Sequence, residues 1–106
     1  MRKGDIILVP FPFTSLQGNK TRPALVLYVG SKDITVSFIS SKLHWKQDID
    51  IVLAPNINNG LKVKSLVKIS KIATLDKSLI LGKLGAISLR EIQSLNEKLI
   101  ILFNLI

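Results

Sequence analysis

The chain has 106 residues, enough for one domain, spanning 1–106, with one core. It is 47% hydrophobic with a formal net charge of +8, a balance that suits an acidic partner such as nucleic acid or an acidic protein segment, or that serves solubility alone. It has no cysteine and one histidine, which excludes disulfides, thiolate catalysis, cysteine metal sites and any histidine cluster within one chain, and fits a reducing compartment such as the cytoplasm.

The opening "MRKGDIILVPFPF" is not expected to be a signal peptide, because Gly4, Asp5, Pro10 and Pro12 interrupt a short apolar stretch. "DIILVP" (5–10) is expected to be the first strand, and "FPFTSLQGNKTR" (11–22) a loop, since prolines do not suit a strand interior. "ALVLYV" (24–29) is apolar on both faces, as in a central strand, and "GSKD" has the chemistry of a tight turn. "ITVSFIS" alternates, with Ile34, Val36 and Phe38 on one face and Thr35 and Ser37 on the other. A polar loop, "SKLHWKQ", follows. In "DIDIVL", Ile49, Ile51 and Leu53 are expected inward, and "APNINNG" (54–60) is a turn. "KVKSLVKIS" and "KIATLD" read as two further half-buried strands, the first with its lysines on a solvent face.

The pattern then changes. Ser88 with Glu91 three residues on is a capping box, and Leu89, Ile92, Leu95, Leu99 and Leu102 form a helical stripe. The last turns are apolar almost all round, which suits either packing on the sheet or a partner surface. "LIILFNLI" is too short to cross a bilayer. Short strands followed by one terminal helix predict a mainly β fold, a small antiparallel barrel with a helical cap.

Phosphate-loop, G-x-G-x-x-G, H-E-x-x-H and G-x-S-x-G signatures are all absent. The informative residue is Arg22, which stands before Pro23 and the second strand. Proline biases it to an extended conformation, and a guanidinium fork suits phosphate oxygens. The alternatives are an exposed arginine or one paired with Asp5 or Asp76.

"GDIILVPFPFTSLQGNKTRPALVL" (4–27) resembles the opening of the MazF/PemK-like toxins of type II toxin–antitoxin systems: Gly-Asp and an apolar strand, a variable loop, then Arg-Pro and a second apolar strand. "VSFISSK", "SLVKISKIATLDK" and "KLGAIS" extend the resemblance over nearly the whole chain. It implies an SH3-like barrel, usually a homodimer, that cleaves single-stranded mRNA at short sequences without metal or cofactor and is blocked by an acidic antitoxin. The 2′-hydroxyl attacks the adjacent phosphate. The family's arginine, which stabilises the developing charge, corresponds to Arg22, and its strand-end threonine or serine to Ser40, with Ser41 as the register alternative.

His44, Asp5 and Asp76 are the acid–base candidates, since arginine is no free base. Asp5 has an alternative role in fixing the first loop, and Asp76 in holding Arg22. Lys20, Thr21, Lys42, Trp45, Lys46 and Lys71 are candidate RNA contacts; Trp45 could stack on a base or cover the barrel end. Two departures from the family pattern stand out: serine replaces threonine at 40, and Ala73 stands where relatives carry arginine, leaving Lys71 or Lys68 to compensate. The competing reading is a non-catalytic CcdB-like gyrase poison or a degenerate binding barrel. A gyrase-inhibiting relative works through a tryptophan near its C-terminus, and "FNLI" has none.

Overall fold

The computed structural model describes residues 1–11 and 20–106, with the backbone alone at Phe11. Strands β1 (Asp5–Phe11), β2 (Lys20–Val29), β3 (Asp33–Ser40), β4 (Ile51–Leu53), β5 (Ser65–Asp76) and β6 (Gly82–Ala86) precede one helix, α1 (Leu89–Phe103). The strands form a single antiparallel sheet in the order β4-β5-β3-β2-β1-β6, curled into a half-barrel.

Both faces of the curl are buried, and strict alternation sorts them. Ile6, Leu25, Ile39, Val67 and Ile69 point to the face that α1 covers with Leu95. Ile7, Val9, Val26, Ile34 and Val36 point to the other, where Leu79 and Ile80 pack. Besides an irregularity between Ile6 and Ile7 where β1 pairs with β6, two register shifts keep the faces consistent as the sheet curls. One lies between Val26 and Tyr28 on β2. The other opposes Ser37–Phe38 of β3 to Ile72 and Lys68 of β5. At that second shift Ile69 is left out of the pairing, and the Ser37 hydroxyl donates to its carbonyl at 3.2 Å. Ser37 is therefore fully buried, not on a solvent face as its alternation suggested.

Other expectations shift in the same way. The two strands read at 62–70 and 71–76 are one strand, β5, because the irregularity bends it without ending it. Lys68 and Asp50, expected on solvent faces, are both buried. Pro10 and Pro23 lie within strands. The β1–β6 ladder ends at Leu8 and the β2–β3 ladder begins at Ala24, so each proline sits where its strand has a neighbour on one side only. Residues 12–19 of the expected first loop lie outside the described residues. The sequence reading missed β6, a short strand with two glycines. The capping box is present: Ser88 Oγ accepts from Glu91 N–H and Glu91 Oε1 accepts from Ser88 N–H. Of the expected helical stripe, Leu95 is buried and Ile92, Leu99 and Leu102 are half-buried, but Leu89, in the first turn, is exposed.

The Asn56–Gly60 turn closes the gap between the sheet's ends. Asn59, fully buried, accepts from Asn56 and Leu61 N–H through Oδ1 and donates to the Ala54 carbonyl. The Asn58 carbonyl then accepts from Ala86 N–H at 2.9 Å. Gly60 has φ +68°, and a Cβ there would lie 2.1 Å from the Leu84 carbonyl oxygen. Gly60→Ala is thus expected to lower the melting temperature by about 10 °C or more. Gly82→Ala, with open space around it, is expected to change stability by no more than about 0.5 kcal/mol. Thermal denaturation followed by circular dichroism checks both.

Candidate nucleic-acid interface

Arg22 lies within β2, on the arm that pairs with β1, opposite Val9. Ala24 faces Phe38 on β3, and the same register continued by two residues sets Arg22 across from Ser40. Directly opposed residues share a sheet face. Phe38 in turn faces Lys68 of β5. The three strands therefore deliver Arg22, Ser40, Phe38 and Lys68 to one surface, a groove of about 550 Å³ completed by Ile39, Ser41, Lys42, Trp45, Ser70, Lys71 and Ile72.

Its electrostatics are one-sided. Among the described residues, Arg22, Lys42, Lys68 and Lys71 line it and no carboxylate does. Lys68 alone is neutralised, by Asp50. Among the described residues Arg22 makes no ion pair and is exposed, so its fork is available to an anion. Ser40 Oγ accepts from Lys42 N–H at 3.1 Å, which orients the hydroxyl and leaves its own proton free to donate. Ser41, exposed, lines both this groove and a second recess of about 350 Å³ on the other flank of Arg22, where Thr21, Leu8, Leu61 and Leu84 contribute.

A 3₁₀ turn, Leu43–Trp45, forms the groove's wall. Trp45 is about half exposed. The Lys42 ammonium lies 4.3 Å from its ring centroid, and His44 meets it edge-on at 5.6 Å. Behind this wall is the pair that sequence reasoning missed. Lys68 Nζ lies 2.5 Å from Asp50 Oδ2 and donates also to the Trp45 carbonyl at 2.8 Å. Continuing the β4–β5 register by one residue makes Asp50 and Lys68 direct cross-strand neighbours. The only signal available was that Asp50 and Lys68 each stand between two apolar residues, Ile49 and Ile51 for the one and Val67 and Ile69 for the other.

Several candidates lie elsewhere. His44 touches Trp45 but does not line the groove, nor do Lys20 and Lys46. Asp5 is buried at the start of β1, where it accepts from Arg2 N–H and pairs with Lys83 at 3.3 Å. It is four residues, about 13 Å, along β1 from the position that faces Arg22. It fixes the N-terminal turn rather than the groove. Asp76 faces Asp33, at the end of β3 remote from Ser40, about 23 Å away, so it cannot hold Arg22. It caps a 3₁₀ turn instead, and the backbone N–H of Ser78, with the Ser78 hydroxyl, holds its carboxyl below the ordinary value. Among the described residues no His/Cys/Asp/Glu cluster could hold a metal, and no helix is long and apolar enough to cross a membrane. What the groove can do is bind and stabilise anionic charge.

Residues 2–103 match the family model described as PemK-like, MazF-like toxin of type II toxin-antitoxin system. A search of curated proteins gave no match. Among solved structures, the fold is shared with an endoribonuclease in complex with its cognate antitoxin from a mycobacterial species (TM-score 0.73, 13% identity, 98% of this chain and 93% of that one). It is shared also with the Mycobacterium tuberculosis toxin MazF-mt6 (TM-score 0.75, 18% identity, 97% of each chain).

The buried pair has a stability signature. Lys68→Met alone leaves the Asp50 carboxylate buried without a counter-ion and is expected to cost about 3–5 kcal/mol in urea unfolding. Adding Asp50→Asn, which can still accept from Gln47 N–H, is expected to restore most of that loss.

Proposed function

Because this chain belongs to the PemK-like, MazF-like toxins of type II toxin–antitoxin systems, we propose that it is an endoribonuclease that cleaves single-stranded RNA in the Arg22 groove. The observation that carries this reading is a guanidinium that makes no ion pair among the described residues, opposite a serine hydroxyl in a groove lined by cations, serines and a tryptophan. Cleavage by the RNA's own 2′-hydroxyl suits such a site. The 2′-oxygen bonds to phosphorus, the P–O5′ bond breaks, and the products are a cyclic phosphate and a 5′-hydroxyl. The 2′ proton leaves to solvent, and solvent protonates the departing oxygen.

The protein's task in that step is electrostatic. Arg22 stabilises the charge on the crowded phosphate, and the Ser40 hydroxyl, or Ser41 in its place, donates to a non-bridging oxygen. Lys42 and Lys71 hold flanking phosphates, so that Lys71 takes over the part of the arginine missing at Ala73. Thr21, at the recess beside Arg22, lies where the strand would leave the groove.

The partners follow from charge and surface. A +8 toxin favours an acidic antitoxin. Ile101, Phe103, Leu105 and Ile106, exposed at the end of α1, suit a homodimer contact, which light scattering is expected to report as twice the monomer mass at micromolar concentration.

Purified protein is expected to cut single-stranded RNA in EDTA. Arg22→Ala is expected to lower the rate by about 10²- to 10³-fold with an unchanged melting temperature, since Arg22 is exposed and makes no ion pair among the described residues. Denaturing gels of end-labelled RNA check the rate. Full activity in the variant, or inhibition of gyrase supercoiling without RNA cleavage, would overturn the reading.

A further inference from the structure

Lys68 and Asp50 form a buried ion pair inside a small domain, and the pair is not built for stability alone. Asp50 Oδ1, fully buried, has no hydrogen-bond partner among the described residues. Well-packed apolar side chains at both positions would be about as stable or more so. What apolar residues could not do is hold the loop. The Lys68 ammonium carries three N–H groups. One goes to Asp50 Oδ2 and one crosses from β5 to the main-chain carbonyl of Trp45. Asp50 Oδ2 also accepts from Gln47 N–H at 2.9 Å, so the same carboxylate ties both ends of the segment after Trp45. Between those two ends, Lys98 donates to the Asp48 carbonyl at 2.9 Å.

Resting on the RNA reading above, we propose that Lys68 and Asp50 are positioning residues: together they fasten the 3₁₀ turn so that the Trp45 ring stands as a fixed stacking wall for one base of the bound strand. An exposed tryptophan on an unfastened loop loses rotational and backbone freedom when a base stacks on it. A fastened one has lost that freedom already. The contact to Trp45 is to its carbonyl oxygen, so the fastening and the ring can be removed separately.

Trp45 is the chain's one tryptophan, which makes its fluorescence a direct reporter. The test uses the full chain and a fluorescein-labelled pool of random-sequence 2′-O-methyl 10-mers, which lack the attacking hydroxyl and are not cut. Anisotropy titrations compare wild type, Trp45→Ala, Lys68→Met/Asp50→Asn and the triple variant, each first confirmed as folded by circular dichroism. Trp45→Ala is expected to weaken binding about tenfold, as the loss of one stacked base would. Lys68→Met/Asp50→Asn is expected to weaken it by a similar factor, yet by less than about twofold once Trp45→Ala is present, because it acts through the ring. Acrylamide quenching of Trp45 is expected to rise in Lys68→Met/Asp50→Asn.

Unchanged binding in the folded Lys68→Met/Asp50→Asn variant would make the pair merely structural and overturn the proposal. Equal losses with and without Trp45 would also overturn it, placing Lys68 in contact with RNA itself. Wild type that binds no oligonucleotide would instead overturn the RNA reading, and this proposal with it.

Discussion

The register shift between β3 and β5 is the constraint on which the molecule's surface chemistry depends. Between Ser37–Phe38 and Lys68–Ile72 the pairing skips residues on β5. Ile69 stays buried on the face covered by α1, while Ser70, Lys71 and Ile72 emerge at the groove beside Lys68. A regular ladder would have sent alternate residues to opposite faces and scattered these groups. The Ser37 hydroxyl supports the irregularity by taking up the Ile69 carbonyl, so a single buried serine compensates for the missing ladder bond.

Charge is arranged by the same geometry. The groove's exposed cations come from three different elements, β2, the segment after β3, and β5. The one buried cation is matched by a buried acid on the adjoining strand's register. A lysine without Asp50 could not remain charged at that depth at modest cost. The positive surface and the neutralised interior are thus separate solutions. Arg22 is available because no acid stands near it among the described residues, and Lys68 is tolerable because one does.

Much of this was legible in the residues. The strand cores at 5–10 and 24–29, the Gly30–Asp33 turn and the Ser88–Glu91 box have local causes, namely apolar runs, turn chemistry and reciprocal capping. The loop expected to run through Arg22, by contrast, gives way to β2 already at Lys20, because pairing with β1 draws Arg22 and Pro23 into the strand. Arg22, Ser40, Lys42, Trp45 and Lys71 were named as site residues and do meet in one groove. Pairing explains the misses. Alternation placed Ser37, Asp50 and Lys68 outward, but their partners, Ile69, Lys68 and Trp45, are 18 to 32 residues distant and leave no local trace. Asp76 was drawn to Arg22 by its sign alone, whereas antiparallel pairing with Asp33 carries it to the other end of the sheet. His44 has the chemistry of a proton carrier but meets Trp45 edge-on without lining the groove.

The sheet is open, yet its two margins offer little to an added strand. β4 has three residues, and β6 has five, two of them glycine. The Asn58 carbonyl already occupies the Ala86 N–H at the end of β6. Short, interrupted edges are poor templates for backbone pairing. Copies of this chain therefore have few free main-chain groups with which to build a continuous intermolecular sheet. Assembly is left to side-chain surfaces, whose composition can discriminate between partners in a way that a row of amides cannot.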